Sequence, residues 1–156
     1  MSELSHLDDS GAARMVDVTA KDVTARTATA RGRVEVSAEV VALLRDGTVP
    51  KGDVIATARI AGIMAAKRTP DLVPLCHPVA VGGVDVDLVV HDDAVAITAT
   101  VRTADRTGVE MEALTAVSVA ALTVVDMVKA VDKAARITDV EVVAKVGGRS
   151  GTWSRT

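Results

Sequence analysis

The chain has 156 residues, of which 49% are hydrophobic and 25% are charged, and its formal net charge is −3 at pH 7. This composition indicates a single globular domain, and the acidic balance argues against a broad nucleic-acid-binding surface, because such surfaces carry an excess of basic residues. The single cysteine, Cys76, excludes a disulfide within the chain and is typical of a reducing compartment. No stretch resembles a secretion signal or a membrane span, so we expect a cytoplasmic protein that binds neither membranes nor nucleic acid.

Aromatic residues are almost absent from the chain. Trp153 is the only one, and there is no Phe or Tyr. The core must therefore be built from Val, Ala, Leu and Ile, which bury less area per side chain than aromatic residues do. We expect oligomerisation to add buried apolar surface.

The first part of the chain predicts an arm, a strand and two helices. Residues 1–25 are polar and have no sustained period, so we expect a flexible N-terminal arm, which is either partly disordered or ordered by a ligand or partner. Strict apolar–polar alternation over residues 27–36 predicts a half-buried strand. Ser37 and Asp53 are natural N-caps and each predicts a helix, the first short and the second ending before Pro70.

The second part predicts a hairpin, a long helix and a last strand. Residues 84–90 and 95–101 alternate on either side of a polar turn, which predicts two antiparallel strands. Apolar side chains recur at helical spacing across residues 107–133, and residues 137–144 alternate again. The glycine-rich, basic tail of residues 146–156 is either a frayed terminus or a backbone wrap around an anionic group.

This order of elements, β–(α–α)–β–β–α–β, matches the split βαβ arrangement of ferredoxin-like folds. We therefore predict an α+β fold with a four-stranded antiparallel sheet and helices packed on one face. Because the sequence has no repeats and no internal linker, we expect residues 1–156 to form a single domain.

The long helix carries polar residues near both of its ends. Thr107 and Glu110 form a predicted capping box at its start. Helical spacing places Glu112, Asp126 and Lys129 on one side of the helix, but Glu112 and Asp126 are separated by roughly 21 Å along the axis. Either the two ends have separate functions, or a second subunit completes one site.

Lys51 lies in the loop TVPKGD, just before the helix that Asp53 caps. Free amides and the positive end of the helix dipole favour an anion at such a position, and a nearby ammonium strengthens that preference. A solvated loop lysine is the commoner interpretation of this position taken alone.

Pro74 and Pro78 bracket the tripeptide Leu75, Cys76 and His77. Prolines restrict the backbone on both sides, so we expect a stiff, extended path that aims these side chains. A zinc site is the alternative, but adjacent Cys and His side chains point apart and no CxxC or HxxxH motif accompanies them, so we predict no metal site.

Three long motifs are specific enough to indicate a family. KGDVIATARIAGIMAAKRTPDLVPLCHP, TGVEMEALTAVSVAALTVVDMVKAVDK and AKVGGRSG, together with MVDVTAK near the start, closely resemble the molybdenum cofactor biosynthesis protein C family, the cyclic pyranopterin monophosphate synthases. The resemblance covers nearly the whole chain. It implies a lyase that converts 3′,8-cyclo-7,8-dihydro-GTP to cyclic pyranopterin monophosphate with release of pyrophosphate.

The resemblance also implies roles for individual residues. Asp126, Lys129 and Lys51 match the catalytic acid and lysines of the family. The remaining matched positions are implied to bind substrate, and they are Leu75, Cys76, His77, Met111, Glu112, Lys67, Arg26 and Lys145.

The resemblance further implies a homo-oligomer, a hexamer built as a trimer of dimers with sites at subunit interfaces, and a radical S-adenosylmethionine GTP cyclase as functional partner. We expect no required cofactor. Since no carboxylate cage is evident, any magnesium is expected to arrive with the substrate triphosphate.

Two other classes of function stay open at this point, a non-catalytic nucleotide-binding module and a purely structural oligomer, because a ferredoxin-like fold does not decide chemistry. The joint presence of Lys51, Asp126 and Lys129 favours an enzyme. A binding module needs cations but has no evident use for an acid paired with lysines.

Overall fold

The computed structural model describes residues 6–156, so the first five residues of the predicted arm lie outside it. The elements in chain order are β1 (Thr24–Glu35), α1 (Ala38–Asp46), α2 (Val54–Ala66), α3 (Thr69–Leu72), β2 (Val81–Val90), β3 (Ala94–Asp105), α4 (Glu110–Val128), β4 (Arg136–Val146) and β5 (Trp153–Ser154). The fold is α+β, with one antiparallel sheet in the strand order β2-β3-β1-β4-β5.

The prediction of a four-stranded sheet is wrong in the number of strands. The four long strands form as predicted, but the tail turns back and adds β5, whose two residues pair with Ala144 and Lys145 of β4. A strand of two residues is too short to produce an alternating pattern, so its sequence carries no period that could predict it.

The helices pack against one face of the sheet. Helix α4 lies against β1, β3 and β4, and α2 lies against β2 and α4. Strand β1 buries Ala28, Ala30 and Val34 on this face, which confirms the predicted alternation. The opposite face carries polar pairs, such as Thr29 with Thr100, whose hydroxyl groups are 3.0 Å apart.

Small residues set the spacing between α2 and α4. A Cβ atom at Gly62 would lie 2.9 Å from the carbonyl oxygen of Ala116 and 3.3 Å from the Cβ of Ala120. Any larger side chain at this position would therefore push the two helices apart. This close packing fixes the position of α4 between α2 and the sheet.

Helix α4 is shorter than predicted, and its predicted capping box is wrong. Val109 is the N-cap and makes no side-chain capping bond, while Lys129 is the C-cap. The carboxylate of Glu110 does not return to Thr107, because it accepts a hydrogen bond from Lys145 Nζ at 2.9 Å. A tertiary ion pair thus replaces the predicted local cap.

By length and composition alone, α4 would qualify as a membrane span, with a mean hydropathy of 1.7. Ala113, Ala116, Val117, Ala120 and Ala121, however, are fully buried between the sheet and α2. We therefore assign α4 to the core of the domain.

Candidate active site

Three of the predicted site residues meet at the C-terminal end of α4. Lys129 Nζ donates to Asp126 Oδ1 at 2.6 Å, and Lys51 Nζ donates to Asp126 Oδ2 at 3.1 Å. Lys51 also donates to the backbone carbonyl of Asp126 at 3.0 Å. We call this group the two-lysine cluster. Lys129 lies three residues after Asp126 on the same helix, whereas Lys51 lies 75 residues before it. Only the tertiary fold therefore brings Lys51 to Asp126.

The loop before α2 delivers Lys51 to the cluster. The N–H of Gly52 donates to the carbonyl oxygen of Val49 at 2.9 Å, and Gly52 has a φ of 98°, so a tight turn forms around Lys51. Asp53 caps α2 by accepting from the N–H of Ala56 at 2.9 Å, as predicted. The capped helix therefore fixes the loop that carries Lys51.

The two lysines act on the ionisation of Asp126. Hydrogen bonds from Lys129 and then Lys51, followed by the charges of both ammonium groups, lower the pKa of the Asp126 carboxyl. The side chain of Asp126 is 56% exposed. The cluster is thus an ionised carboxylate between two ammonium groups, open to solvent.

A pocket of about 890 Å³ lies at the opposite end of α4. Predicted residues on its wall are Leu75, Cys76, His77, Met111 and Lys145. The segment that carries Leu75 differs from the predicted extended path, because Pro74 and Leu75 form a turn and the N–H of Cys76 donates to the carbonyl oxygen of Val73 at 3.1 Å. The extended path begins only at Cys76.

Glu112 lies behind Cys76 and is 1% exposed. The Cys76 thiol donates to Glu112 Oε1 at 3.6 Å, and Glu112 Oε2 is buried without a hydrogen-bond partner among the described residues. Burial raises the pKa of the Glu112 carboxyl. Burial, reinforced by Glu112, also raises the pKa of the Cys76 thiol to about 11. The site around Cys76 and Glu112 therefore favours the neutral forms of these two groups.

The N-terminal arm closes one side of the pocket. His6, Val16, Val18 and Lys21 line it, and His77 Nε2 lies 2.5 Å from the carbonyl oxygen of Val16. The arm is held near Arg106, whose Nε donates to the carbonyl oxygen of Lys21 at 2.9 Å.

A second pocket, of about 690 Å³, adjoins the first and shares Lys21, Thr107, Gly108 and Lys145 with it. Its basic residues are Lys21, Arg26, Lys145 and Arg149. Arg26 is fixed by donating to the carbonyl oxygens of Asp105 at 2.9 Å and Arg106 at 3.2 Å. Asp22 also lines this cavity and Lys145 is paired with Glu110, but the four cations outnumber these two carboxylates and suit a polyphosphate.

Helical spacing predicted that Glu112, Asp126 and Lys129 lie on one side of α4, and the structure adds a difference in their exposure. Glu112 is buried, whereas Asp126 and Lys129 are exposed. Residues on the same side of a helix need not be equally buried. Cys76 covers Glu112 in the first turn of α4, whereas Asp126 and Lys129 lie near the other end. Of the other predicted residues, Lys67 is the exposed C-cap of α2 and lines neither pocket.

The pocket residues that were not predicted as site residues include Lys21, Arg149 and Trp153. Lys21 falls in a segment interpreted as a flexible arm, although it belongs to the quoted motif MVDVTAK. Arg149 and Trp153 belong to the tail. For this segment the sequence allowed two interpretations, a frayed terminus or a backbone that wraps around an anionic group. The signal that could have identified Trp153 is that it is the only aromatic residue in the chain.

Among residues 6–156, the structure contains no group of three or more His, Cys, Asp or Glu side chains arranged to hold a metal ion. Cys76 and His77 both line the pocket, but the thiol faces Glu112 whereas the imidazole lies against Val16. The two side chains thus have separate partners.

Comparison with known proteins identifies the family. Residues 15–148 match the model of the MoaC family. The chain is 74% identical over 153 residues to the cyclic pyranopterin monophosphate synthase of Streptomyces coelicolor, covering 98% of this chain and 90% of that protein. It is 65% identical over 153 residues to cyclic pyranopterin monophosphate synthase 2 of Mycobacterium tuberculosis, covering 98% and 92%. It is 57% identical over 157 residues to the synthase of Thermomicrobium roseum, covering 99% and 95%.

Both the family match and these relatives span the two-lysine cluster and the pocket residues from Val16 to Lys145. The chain therefore belongs to the MoaC family.

Proposed function

We propose that this protein is a cyclic pyranopterin monophosphate synthase, a lyase of molybdenum cofactor biosynthesis. It converts 3′,8-cyclo-7,8-dihydro-GTP to cyclic pyranopterin monophosphate and releases pyrophosphate. The observation that carries the proposal is the two-lysine cluster, in which Lys51 and Lys129 both bind Asp126, within a chain 74% identical to a synthase of that name.

The two lysines transfer protons in this reaction. Rebuilding the ring system and expelling pyrophosphate both require proton transfers at nitrogen and oxygen atoms, and lysine side chains can supply them. The lowered pKa of Asp126 keeps its carboxylate ionised near neutral pH, so its role is to orient both ammonium groups. Each lysine then has a fixed position from which it reaches the substrate.

The two pockets divide the substrate between them. The larger pocket takes the ring derived from the base, against Leu75, Cys76, His77 and Met111, with Glu112 behind Cys76. The basic pocket takes the triphosphate, held by Arg26 and Lys145. Formation of the cyclic phosphate joins a substrate hydroxyl to the α-phosphorus and breaks the bond to the β-phosphate, so the cations stabilise the departing pyrophosphate.

A second copy of the chain completes the site. The pocket and the two-lysine cluster lie at opposite ends of α4, roughly 20 Å or more apart along a rigid helix. Exposed apolar residues on the helical layer support an interface, and they are Ile60, Met64, Met111 and Leu122. We infer a homo-oligomer, a hexamer arranged as a trimer of dimers, in which the cluster of one copy faces the pocket of another. Lys67, exposed and outside both pockets, is assigned to substrate binding on the motif match alone.

Several further properties belong to the same proposal. The four long strands and the helices on one face form a ferredoxin-like core, to which β5 is an addition; the element order supports this. The synthase acts in the cytoplasm, after a radical S-adenosylmethionine GTP cyclase. It requires no cofactor of its own, and magnesium arrives with the triphosphate.

The proposal is tested with the cyclised dihydro-GTP as substrate and pyrophosphate release as the measurement. We expect turnover by the wild-type protein and a loss of kcat of about a hundredfold to ten-thousandfold in Lys51→Ala, with substrate binding retained. Lys133→Ala is the matched control, since Lys133 is an exposed lysine near the same end of α4 that is not part of the cluster.

Three results would contradict parts of the proposal. Binding without pyrophosphate release by the wild-type protein favours a nucleotide-binding module, and absence of both favours a structural oligomer. Wild-type turnover by Lys51→Ala refutes the assigned role of Lys51.

A further inference from the structure

The only aromatic residue of the chain lies in the wall of the larger pocket and not in the core. Trp153 is 42% exposed and lines the cavity together with Met111, Val142 and Lys145. Among the described residues, the hydrophobic core contains no aromatic side chain, so Trp153 is not part of its packing. Trp153 also lies outside residues 15–148, which the family model matches.

The fold holds Trp153 at this place by backbone contacts. Gly147 and Gly148 have φ values of 97° and 75°, a conformation that disfavours other residues, and together they reverse the chain after β4. A side chain at Gly147 would collide with the carbonyl oxygen of Ala25. The returning tail forms β5, which sets Trp153 directly beside Lys145 in the register. Trp153 thus lies next to a residue shared by both pockets.

Arg155 covers one face of the indole ring. Its guanidinium carbon lies 5.5 Å from the ring centroid. The guanidinium is itself held, because Nε lies 3.1 Å from Glu141 Oε2 and donates to the carbonyl oxygen of Val142 at 2.9 Å. A cation over the ring fixes its orientation and leaves a single face for a ligand.

The surroundings of the ring select a planar ligand that carries anionic groups. Val16, Val18 and Val142 make the pocket wall apolar, while Lys145 opens onto the basic pocket. An indole in such a wall offers stacking to a flat heterocycle whose phosphates reach the cations. We propose that Trp153 stacks on the planar ring of the base-derived part of the substrate and so positions that ring in the larger pocket. This inference rests on the proposed function.

Binding is followed through the emission of Trp153, which is the only Trp and has no Tyr or Phe background. The cyclised dihydro-GTP is titrated into the wild-type protein, and inorganic triphosphate serves as the probe without a ring. We expect the nucleotide to quench the emission and triphosphate to leave it nearly unchanged, because only the nucleotide supplies a stacking partner.

Kinetics of pyrophosphate release give the second measurement. Trp153→Leu keeps an apolar side chain but removes the aromatic face, whereas Trp153→Phe keeps a stacking surface. Stacking on an aromatic side chain is strong enough that its loss should raise KM roughly 5- to 150-fold in Trp153→Leu. We expect kcat to be unchanged, since the contact binds ground state and transition state alike, and KM of Trp153→Phe to stay near that of the wild type.

The outcomes separate this inference from the proposed function. Stacking is supported if only the nucleotide quenches the emission and if KM is raised in Trp153→Leu but not in Trp153→Phe. Normal turnover without quenching overturns it, and so does an equal KM for Trp153→Leu and Trp153→Phe, with circular dichroism used to verify that both variants fold. Absence of pyrophosphate release by the wild-type protein refutes the proposed function, and the emission titration then decides on stacking by itself.

Discussion

The two ends of α4 provide opposite environments for Glu112 and Asp126. At the N-terminal end Glu112 is 1% exposed, faces a thiol and has a raised pKa. At the C-terminal end Asp126 is 56% exposed, binds two lysines and has a lowered pKa. One helix therefore holds a neutral-favouring group at one end and a charged group at the other.

Under the proposed function, this difference separates substrate binding from proton transfer. The N-terminal end adjoins both pockets, where a ring and phosphates can bind, and the C-terminal end presents the two-lysine cluster to solvent. Because α4 is one continuous helix packed tightly against α2, the two ends of α4 in a single chain lie far apart. This separation is the reason for our proposal that a second copy of the chain completes the site.

Mixing two inactive variants tests whether the two-lysine cluster and the pocket of one site come from different copies of the chain. This prediction has the largest expected change in activity. Lys51→Ala disrupts the two-lysine cluster and Lys145→Ala disrupts the pockets. Each variant alone should therefore be nearly inactive at low substrate concentration. When the two are co-expressed and the mixed oligomer is isolated through distinct tags, some interfaces combine two intact halves. We expect about one quarter of wild-type activity, as random pairing across a two-fold interface gives.

A mixed oligomer that is as inactive as its parents would show that each site is built within one chain. Co-expression of each variant with itself, purified through the same tags, is the control.

The reactivity of Cys76 tests whether its thiol is buried and protonated near the N-terminal end of α4. With a pKa of about 11, the thiol is almost wholly protonated at pH 8. Alkylation by iodoacetamide, followed by mass spectrometry, should be about a hundredfold slower than in the urea-unfolded chain, where a cysteine has its ordinary pKa. The folded rate should rise as the pH approaches 11. Equal folded and unfolded rates at pH 8 would contradict the burial of this thiol.

Glu112→Gln should change the pH dependence of stability, and this is the smallest of the expected effects. Because the pKa of Glu112 is raised in the folded state, folding favours its protonated form. Its contribution to stability is complete below the unfolded pKa of about 4.3 and is lost as the pH rises through the folded pKa, by roughly 1.4 kcal/mol for each unit of pKa difference. Urea unfolding of both proteins from pH 4 to pH 8 should show a steeper decline for the wild type. Parallel curves would mean that Glu112 is paired or hydrated in solution.

Local patterns in the sequence were sufficient to predict most of the elements. The alternation of residues 27–36 and the caps Ser37 and Asp53 correspond to β1, α1 and α2. The errors lie where a distant partner intervenes. Lys145 takes the Glu110 carboxylate that was expected to cap α4, and β4 supplies the pairing partner for β5.

Family resemblance named the members of the candidate site, and their roles stay predictions. Spacing along the helix predicted that Glu112 and Asp126 lie far apart, since rise per residue depends only on the helix. It could not predict that one is buried and the other exposed, because burial depends on the segment that happens to cover each turn.

By itself, the sequence determined the helices α1, α2 and α4, the long strands, the family and the presence of a lysine–acid pair near the end of α4, because these depend on local periodicity, caps and motif spacing. The four-residue helix α3 was not predicted. Tertiary structure alone decided that Lys51 joins Asp126, that Cys76 covers Glu112 and that the tail returns to place Trp153 beside Lys145. These contacts join residues far apart in the chain, and their geometry follows from how the elements pack on the sheet.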